Sequence, residues 1–471
     1  MATEQEAFAE NFLPFFVDAS ELLKSMGLYT FDDQKYFPFL DLWRKNRNGE
    51  RTLQKRKLHI FIDEFQDSSP LDLRLFQELV KHEQADLVVV GDDDQAIYQF
   101  RGATPAFILE PEAFFETAFD TVIFETNYRS PKNIIEHSQR LIKCNTRRED
   151  KQIAWSNPSE VRIDFLNASP KNNKTIFNVV ADKVQSCIAE KNVVLVGRRR
   201  GDLLPYQIIF GRQKQQFYVD TDINVFDSEA YRKLVKLLEI KCKPTPAPYD
   251  YTNVLNSVFR YPLSAANRNT LIRQFSGAQD KMAIMGVLYN ALAKSVRRDT
   301  ADAIIQWFDE KNVADTLKIT ADHFVGFQQD FYRSEKDVFY SEPPFSHLID
   351  FAKEYGTDFN GFYNDLTVAA TYGKRYEDGD IDETININIM TAFRTKGREF
   401  DHVIVLDCDS ETWPNKWAKS PEEKETERRL FYVVVTRAKH ELMFAGAEQN
   451  PTPYLSEMGL DRTENFESDD C

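Results

Sequence analysis

The chain has 471 residues, 42% of them apolar, and a formal net charge of −16. That length predicts about three domains. The acidic balance excludes a protein that lives on bulk attraction to phosphates, while leaving room for nucleic acid held in a narrow basic or aromatic channel. Five scattered cysteines (Cys144, Cys187, Cys242, Cys408, Cys471) with no close pairing exclude a disulfide framework and a zinc site, and point to a reducing, cytoplasmic compartment. The N-terminus is acidic and reads as no signal peptide, and no run of about 18 apolar residues is present to span a membrane.

In chain order, residues 1–50 read as mostly helical, with FLPFFVDASELLKSMGL as an amphipathic stretch. The basic run RTLQKRK (51–57) precedes an expected strand, LHIFID, and Pro70 opens an expected helix, LDLRLFQELVKH. DLVVVGD (86–92) is a continuous apolar run ending in Gly-Asp, the pattern of a buried parallel strand. TVIFETNYRS (121–130) reads as a third strand followed by a helix from Pro131, and NVVLVGRRR (192–200) as a fourth. Strands alternating with helices predict an α/β layered fold. After the Pro-rich joint KCKPTPAPYDY (241–251) the pattern over 236–380 is mainly helical. Strands return with ININIMTAF (385–393) and HVIVLDC (402–408), then a helix over 425–438 and a strand, ELMFAG (441–446). The acidic tail, 451–471, is expected to be flexible.

Five blocks carry the chemistry. Asp63-Glu64 follow an apolar strand, where carboxylates face a ligand crevice; one can hold Mg²⁺ and its neighbour can polarise an attacking water. In VVVGDDDQAIYQFRGA (88–103), Gln95 is placed to touch a phosphate or that water, while Tyr98, Phe100 and Arg101 offer two rings and a cation suited to unpaired bases. In TNYRS (126–130), Arg129 can reach a phosphate and Tyr128 can stack on an adenine. In TAFRTKGREFDHVIVLD (391–407), Lys396-Gly397 stand where a strand turns and Glu399 can accept hydrogen bonds from a ribose. In ERRLFYVVVTRAKHEL (427–442), Arg437 is a candidate arginine finger. Singly, each block also fits a plainer role: a solvated acidic loop, self-packed aromatics, or solvated arginines.

Together, and in this order, the blocks resemble the UvrD/Rep/PcrA family of superfamily 1 DNA helicases. DEFQD looks like motif II, VGDDDQAIYQFRGA like motif III, NYRS like motif IV, TAFRTKGREFDHV like motif V and ERRLFYVVVTRA like motif VI, over about residues 55–445. The resemblance implies an α/β chain with two RecA-like motor domains, the first N-terminally incomplete, and a helical accessory insertion. Residues 1–50 would be a helical remnant of the first accessory region and 51–125 the C-terminal half of the first motor domain. Residues 126–235 and 381–450 would be the two segments of the second motor domain, flanking a 2B-like insertion at 236–380. The implied activity is 3′ to 5′ movement on single-stranded DNA, or on DNA with a 3′ overhang, driven by ATP with Mg²⁺, in repair, recombination or defence. Asp63 would hold Mg²⁺, Glu64 would be the catalytic base and Gln95 would sense the γ-phosphate. Arg129 and Arg437 would stabilise transition-state charge, with Tyr128, Gly397 and Glu399 on the nucleotide. Tyr98, Phe100, Arg101, Thr391 and Phe393 would line the DNA path. Phe100 stands where the family usually has Trp, Phe393 where it often has His, and Arg398 replaces a common Leu.

One family element is missing. GxxxxGK[ST] occurs nowhere in the 471 residues; at Gly373-Lys374 the flanking positions are Val368 and Arg375. The phosphate-cradling lysine loop and its Ser/Thr are therefore absent, as is the glutamine segment that recognises adenine. Without the strand that leads into this loop, the strands near 58–63 and 86–91 are expected to lack a neighbour and expose apolar surface. Unpaired buried backbone groups there would cost about 1–3 kcal/mol each. Three readings follow: a truncated helicase chain, inactive alone; half of a split motor whose protein partner brings the lysine loop; or a nucleotide-independent DNA-binding or scaffold protein.

Overall fold

Apolar runs that end in polar residues form parallel strands throughout this chain. The computed structural model describes residues 18–50, 58–168, 174–188, 192–219, 229–243, 246–257, 264–293, 298–323, 346–375, 384–447 and 450–460. The basic run at 51–57 and the last part of the acidic tail, 461–471, lie outside the described residues. The chain divides into two units, Met1–Ile123 with Thr146–Lys151, and Phe124–Asn145 with Gln152–Cys471.

In the first unit, helix α1 (Asp33–Arg47) packs on helix α2 (Pro70–Glu83), tied by Lys35 to Asp72 at 2.8 Å and by the Asn46 amide to Glu78 at 2.7 Å. Ser69 caps α2: its hydroxyl accepts from the Asp72 N–H at 3.2 Å and its own N–H donates to the Asp72 carboxylate at 2.9 Å. Pro70 at the first helical position needs no hydrogen-bond partner for its nitrogen. Strands β1 (His59–Ile62) and β2 (Asp86–Val89) pair in parallel, from His59 opposite Asp86 to Ile62 opposite Val89. Ile60, Ile62, Leu87 and Val89 face a core with Phe65, Leu73, Phe76 and Phe107. The alternate side chains face out: Phe61 is 72% exposed, Val88 40% and Val90 46%. β2 is thus parallel, as its apolar run predicts, but not buried. Among the described residues its sheet has two strands, and a parallel sheet needs cover on both faces.

The second unit holds a seven-stranded, all-parallel sheet in the order β5-β11-β10-β6-β9-β7-β8. Its strands are β5 (Arg162–Leu166), β6 (Val193–Gly197), β7 (Phe217–Val219), β8 (Gly373–Arg375), β9 (Ile387–Thr391), β10 (Phe400–Val405) and β11 (Ala438–Ala445). β6 and β9 are buried along their whole length, as expected of central parallel strands. The expected strand at 121–130 is shorter than its apolar pattern: β3 begins at Thr126, runs to Pro131, and pairs only with β4 (Ala154–Asn157). The Ala154 N–H still donates to Glu125 O at 2.6 Å, but 121–124 form no strand among the described residues, and Val122 and Phe124 stand exposed. Helix α3 (Lys132–Ile142) follows as expected.

The helical segment has different ends from those read in the sequence. Helices α4 (Ile176–Cys187) and α5 (Leu204–Arg212) belong to the sheet layers, and α6 (Glu229–Cys242) runs unbroken across the expected boundary at 235. Five helices follow, α7 (Pro248–Ser257), α8 (Ala265–Gly277), α9 (Lys281–Ala293), α10 (Arg298–Asp309) and α11 (Val313–His323). The chain returns through α12 (Ser346–Ala352) and α13 (Phe359–Tyr372), and α13 packs on α5 where a methyl group on Gly211 would run into the Ala369 backbone. β8 then pairs with β7, so 373–375 belongs to the sheet and not to the helical insertion. The described part of the tail, 451–460, is ordered against expectation: α14 (Pro421–Val435) and β11 lead to α15 (Pro453–Glu457), and Tyr454, Leu455, Met458 and Leu460 are buried. Four buried apolar side chains anchor this part. No helix among the described residues is long and apolar enough to cross a membrane.

A half-buried histidine fastens α12 to the sheet. His347 Nε2 lies 3.1 Å from Asp407 at the end of β10, and Nδ1 lies 3.3 Å from Asp202 before α5. Burial opposes its charge, but the Asp407 and Asp202 carboxylates outweigh it and lift its pKa to about 10. Its folded value lies above the ordinary histidine value, so its stabilisation is full below about pH 6.5 and is lost as pH rises through about 10. We expect His347→Gln to lower the melting temperature at pH 6 and to close the gap to wild type towards pH 10; a gap that stays constant across that range would contradict the ion-paired state.

Candidate active site

Each expected catalytic residue of the first unit sits at a strand tip. Asp63 and Glu64 follow β1 directly and are both exposed. Asp63 accepts the Glu64 N–H at 2.9 Å, and Glu64 adopts φ 51°, ψ 41°. Left-handed backbone at a residue other than glycine is strained by about 1–3 kcal/mol and persists where neighbours enforce it. Here the neighbours are visible. The Phe65 N–H donates to Val90 O at 2.9 Å, and the Val90 N–H to Ile62 O at 2.8 Å, so the chain beyond β1 is stitched to the chain beyond β2. Gln66, fully buried, completes the stitch: its Nε2 donates to Glu64 Oε2 and its Oε1 accepts the Asp92 N–H at 3.1 Å. A side chain on Gly91 would collide with that amide and approach Ile108 Cδ1 to 2.7 Å, which explains the glycine. Asp92 Oδ2 in turn accepts Gln95 Nε2 at 2.7 Å. Glu64, Gln66, Asp92 and Gln95 therefore form one hydrogen-bonded chain across the tips of β1 and β2.

Asp92, Asp93 and Asp94 repel one another, and two basic residues offset the repulsion. Lys151 Nζ lies 2.5 Å from Asp92, 2.5 Å from Asp93 and 3.3 Å from Asp94. The Arg148 guanidinium forks onto Asp94 at 3.0 and 2.9 Å. Burial pushes the Asp92 carboxyl up, but Lys151 outweighs it and leaves it below the usual carboxylate range; burial raises the Asp94 carboxyl despite Arg148. Gln66, Arg148 and Lys151 were not singled out in the sequence. The signal was there in charge: an Asp triplet inside an apolar setting demands nearby cations, and RREDK (147–151) supplies them.

Tyr98, Phe100 and Arg101 form one platform. The two rings meet edge to face at 5.9 Å, and the Arg101 guanidinium lies 5.2 Å from one and 5.5 Å from the other. Gly102, at φ 82°, ends the turn against Pro70. Phe100 remains 46% exposed.

In the second unit, Arg129 and Glu399 meet directly, at 2.5 Å, and Lys439 reaches the other Glu399 oxygen at 2.8 Å. The Lys439 hydrogen bond, with Arg129 beside it, holds the Glu399 carboxyl below its usual range against the effect of burial. Tyr128 is 79% exposed on β3. Gly397 takes φ 78° in the turn between β9 and β10. Arg437, just past α14, is buried, and its guanidinium donates to Val433 O at 2.8 Å, Thr436 Oγ1 at 3.1 Å and Arg398 O at 3.4 Å. Thr391 is buried at the end of β9. Phe393 carries Arg198 over its ring at 5.3 Å, and Arg198 in turn forks onto Glu427 of α14 at 2.9 and 2.6 Å.

Parallel strands with acidic tips and a polar relay across them define an α/β chain of the RecA-like motor class. A profile of the UvrD/REP helicase N-terminal domain matches residues 2–116, and one of the UvrD-like helicase C-terminal domain matches 273–449. The chain belongs to the UvrD/Rep helicase family. It is 25% identical to the ATP-dependent DNA helicase PcrA of Bacillus subtilis, over 88% of this chain and 59% of that protein. It is 26% identical to the ATP-dependent DNA helicase UvrD1 of Mycobacterium bovis, over 84% of this chain and 55% of that protein. It is 23% identical to the ATP-dependent DNA helicase Rep of Buchnera aphidicola, over 93% and 69%. The chain thus spans little more than half the length of PcrA and UvrD1.

Removing Lys151 would leave two buried carboxylates and a half-buried one short of a countercharge. Breaking a buried pair from one side costs about 3–5 kcal/mol. Lys151→Met should lose that much in urea unfolding followed in the first unit; a loss below about 1 kcal/mol would mean the triplet is hydrated and the pairing weak.

Proposed function

We propose that this chain is most of an ATP-dependent DNA helicase or translocase, moving 3′ to 5′ on single-stranded DNA or from a 3′ overhang, in cytoplasmic DNA repair, recombination or defence. The observation that carries the reading is the hydrogen-bonded chain Glu64–Gln66–Asp92–Gln95, which fixes a candidate base and a candidate phosphate sensor at neighbouring strand tips. The exposed Asp63 carboxylate beside them suits a hard cation. It would hold Mg²⁺, whose charge would offset that of the phosphates. Glu64 would accept the proton of the attacking water, and Gln95 would orient that water. Tyr128 would stack on adenine, Gly397 and Glu399 would contact the nucleotide, and Arg129 and Arg437 would stabilise charge once released from the bonds described above. Tyr98, Phe100, Arg101, Thr391 and Phe393 would line the DNA path. Residues 51–125 would contribute to the first motor domain, the sheet-bearing segments on either side of the helical stretch to the second, and helices α7 to α11 to the accessory insertion.

This reading needs a lysine loop from outside the 471 residues, on the same polypeptide or on a partner. The partly exposed platform of Tyr98, Phe100 and Arg101 also fits one alternative: a helicase-like protein that grips single-stranded DNA without hydrolysis. Turnover and binding separate the two. In the native protein with its lysine loop present, Glu64→Gln should lower DNA-stimulated ATP hydrolysis by about 10²–10⁴-fold while nucleotide still binds. Phe100→Ala should weaken single-stranded DNA binding by about 1–3 kcal/mol, the worth of one stacked base. Unchanged turnover in Glu64→Gln would remove that residue from the chemistry, and DNA binding indifferent to ATP would favour the gripping protein.

A further inference from the structure

Within the second unit, three donor atoms of different chemistry meet beside the first turns of β10 and β11. His402 and Glu441 face each other across the two strands, with His402 Nδ1 2.8 Å from Glu441 Oε2. The thiol of Cys187, the last residue of α4, donates to the same oxygen at 3.7 Å. His402 and Glu441 are buried and Cys187 is half-buried. The other carboxylate oxygen is held from the opposite side. Lys183, one turn back on α4, lies 2.7 Å from Glu441 Oε1, and Arg162 on β5 lies 3.9 Å from it. Lys183 also lies 3.9 Å from Asp164. These cations orient the Glu441 carboxylate through Oε1 and leave Oε2 turned towards the imidazole and the thiol.

We propose that Cys187, His402 and Glu441 form a Zn²⁺ site with water in the fourth position. A thiolate, an imidazole and a carboxylate are the donor types that zinc takes in tetrahedral coordination. With Zn–S about 2.3 Å and Zn–N or Zn–O about 2.0–2.2 Å, donors in such a site stand about 3.4–3.6 Å apart. Cys187 Sγ, His402 Nδ1 and Glu441 Oε2 all lie within 4.8 Å of one another. The thiol–carboxylate contact already has about the right length, and the histidine–glutamate contact must open by about 0.6 Å. On binding, the thiol proton leaves to solvent and the imidazole keeps its one proton on Nε2, freeing the Nδ1 lone pair. Zn²⁺ with one thiolate and one carboxylate is neutral, which suits buried ligands. Lys183 is a positioning residue, acting on the metal through Glu441. Such a metal fastens the end of α4 to β10 and β11, and the site stands independently of the helicase reading. Cysteine spacing speaks only to sites with paired thiols, so a site with one thiol corrects the expectation of no zinc.

Titration of the metal-stripped full chain with Co²⁺ tests this, because a cobalt–thiolate bond gives a near-ultraviolet charge-transfer band that oxygen and nitrogen ligands do not. The band should saturate at one equivalent, disappear on adding Zn²⁺, and be lost in Cys187→Ser. His402→Gln should weaken Co²⁺ binding by about tenfold or more, while Cys242→Ser should leave the band unchanged. Zn²⁺ should also slow alkylation of Cys187 by about tenfold or more, read by peptide mapping, and leave the exposed Cys144 as reactive as before. If His402→Gln does not fold, Cys187→Ser at the half-buried helix end still decides. No thiolate band, a band that survives Cys187→Ser, or alkylation of Cys187 that is indifferent to Zn²⁺ would overturn the site.

Discussion

A parallel sheet presents apolar side chains on both faces and unpaired backbone groups on both edges, so it is stable only when flanked on all sides. Among the described residues of the first unit, β1 and β2 supply only each other. One face of the pair is closed by α2 and the short turns that carry Phe65 and Phe107. The other leaves Phe61, Val88 and Val90 in water. The polar chemistry depends on this arrangement, because Glu64, Gln66, Asp92 and Gln95 are set in place by the junction of the two strands. The strands that carry the candidate catalytic residues are thus the ones whose cover is incomplete within the described residues. A third strand beside them would pair an open edge, its crossover helix would cover the exposed face, and a strand leading into a phosphate loop would serve the site as well as the fold.

Electrostatics sets the second constraint. An acidic chain that sets three successive aspartates together, two of them buried, must bring its own cations, and Arg148 and Lys151 supply them. The second unit follows the same rule three times. Arg198 pairs with Glu427 in a buried fork, His347 bridges Asp202 and Asp407, and Glu399 draws in Arg129 and Lys439. One of these, the Glu399 cluster, involves residues that the resemblance assigns to nucleotide. Their ion pairs hold the side chains in defined positions, from which a phosphate or ribose would have to win them.

Much of this was legible in the sequence. The tips of β1 and β2, the buried runs of β6, β9 and β10, and the capped helix after Ser69 all follow from apolar periodicity and end residues. The exposed face of the first sheet followed from the missing lysine loop. What escaped the sequence was long-range or short-lived in pattern. β4, β5, β7 and β8 are three to five residues long, too brief for a period to declare itself. TVIFE looked like a strand, but a strand exists only where a neighbour accepts its hydrogen bonds. The tail read as flexible because its charge masked four anchoring apolar side chains. The cations of the Asp triplet were invisible because they pair across 54 to 59 residues.

The central claim is that β1 and β2 are half of a nucleotide site whose other half is a strand bearing a lysine loop. The most direct test is mass spectrometry of the native protein isolated from its source cell, reading both the intact chain and whatever co-purifies with it. The account predicts a segment containing GxxxxGK[ST], either joined to this sequence or bound to it in equal amount. A native protein of these 471 residues, isolated with no such segment and with single-stranded DNA binding that ignores ATP, would contradict it.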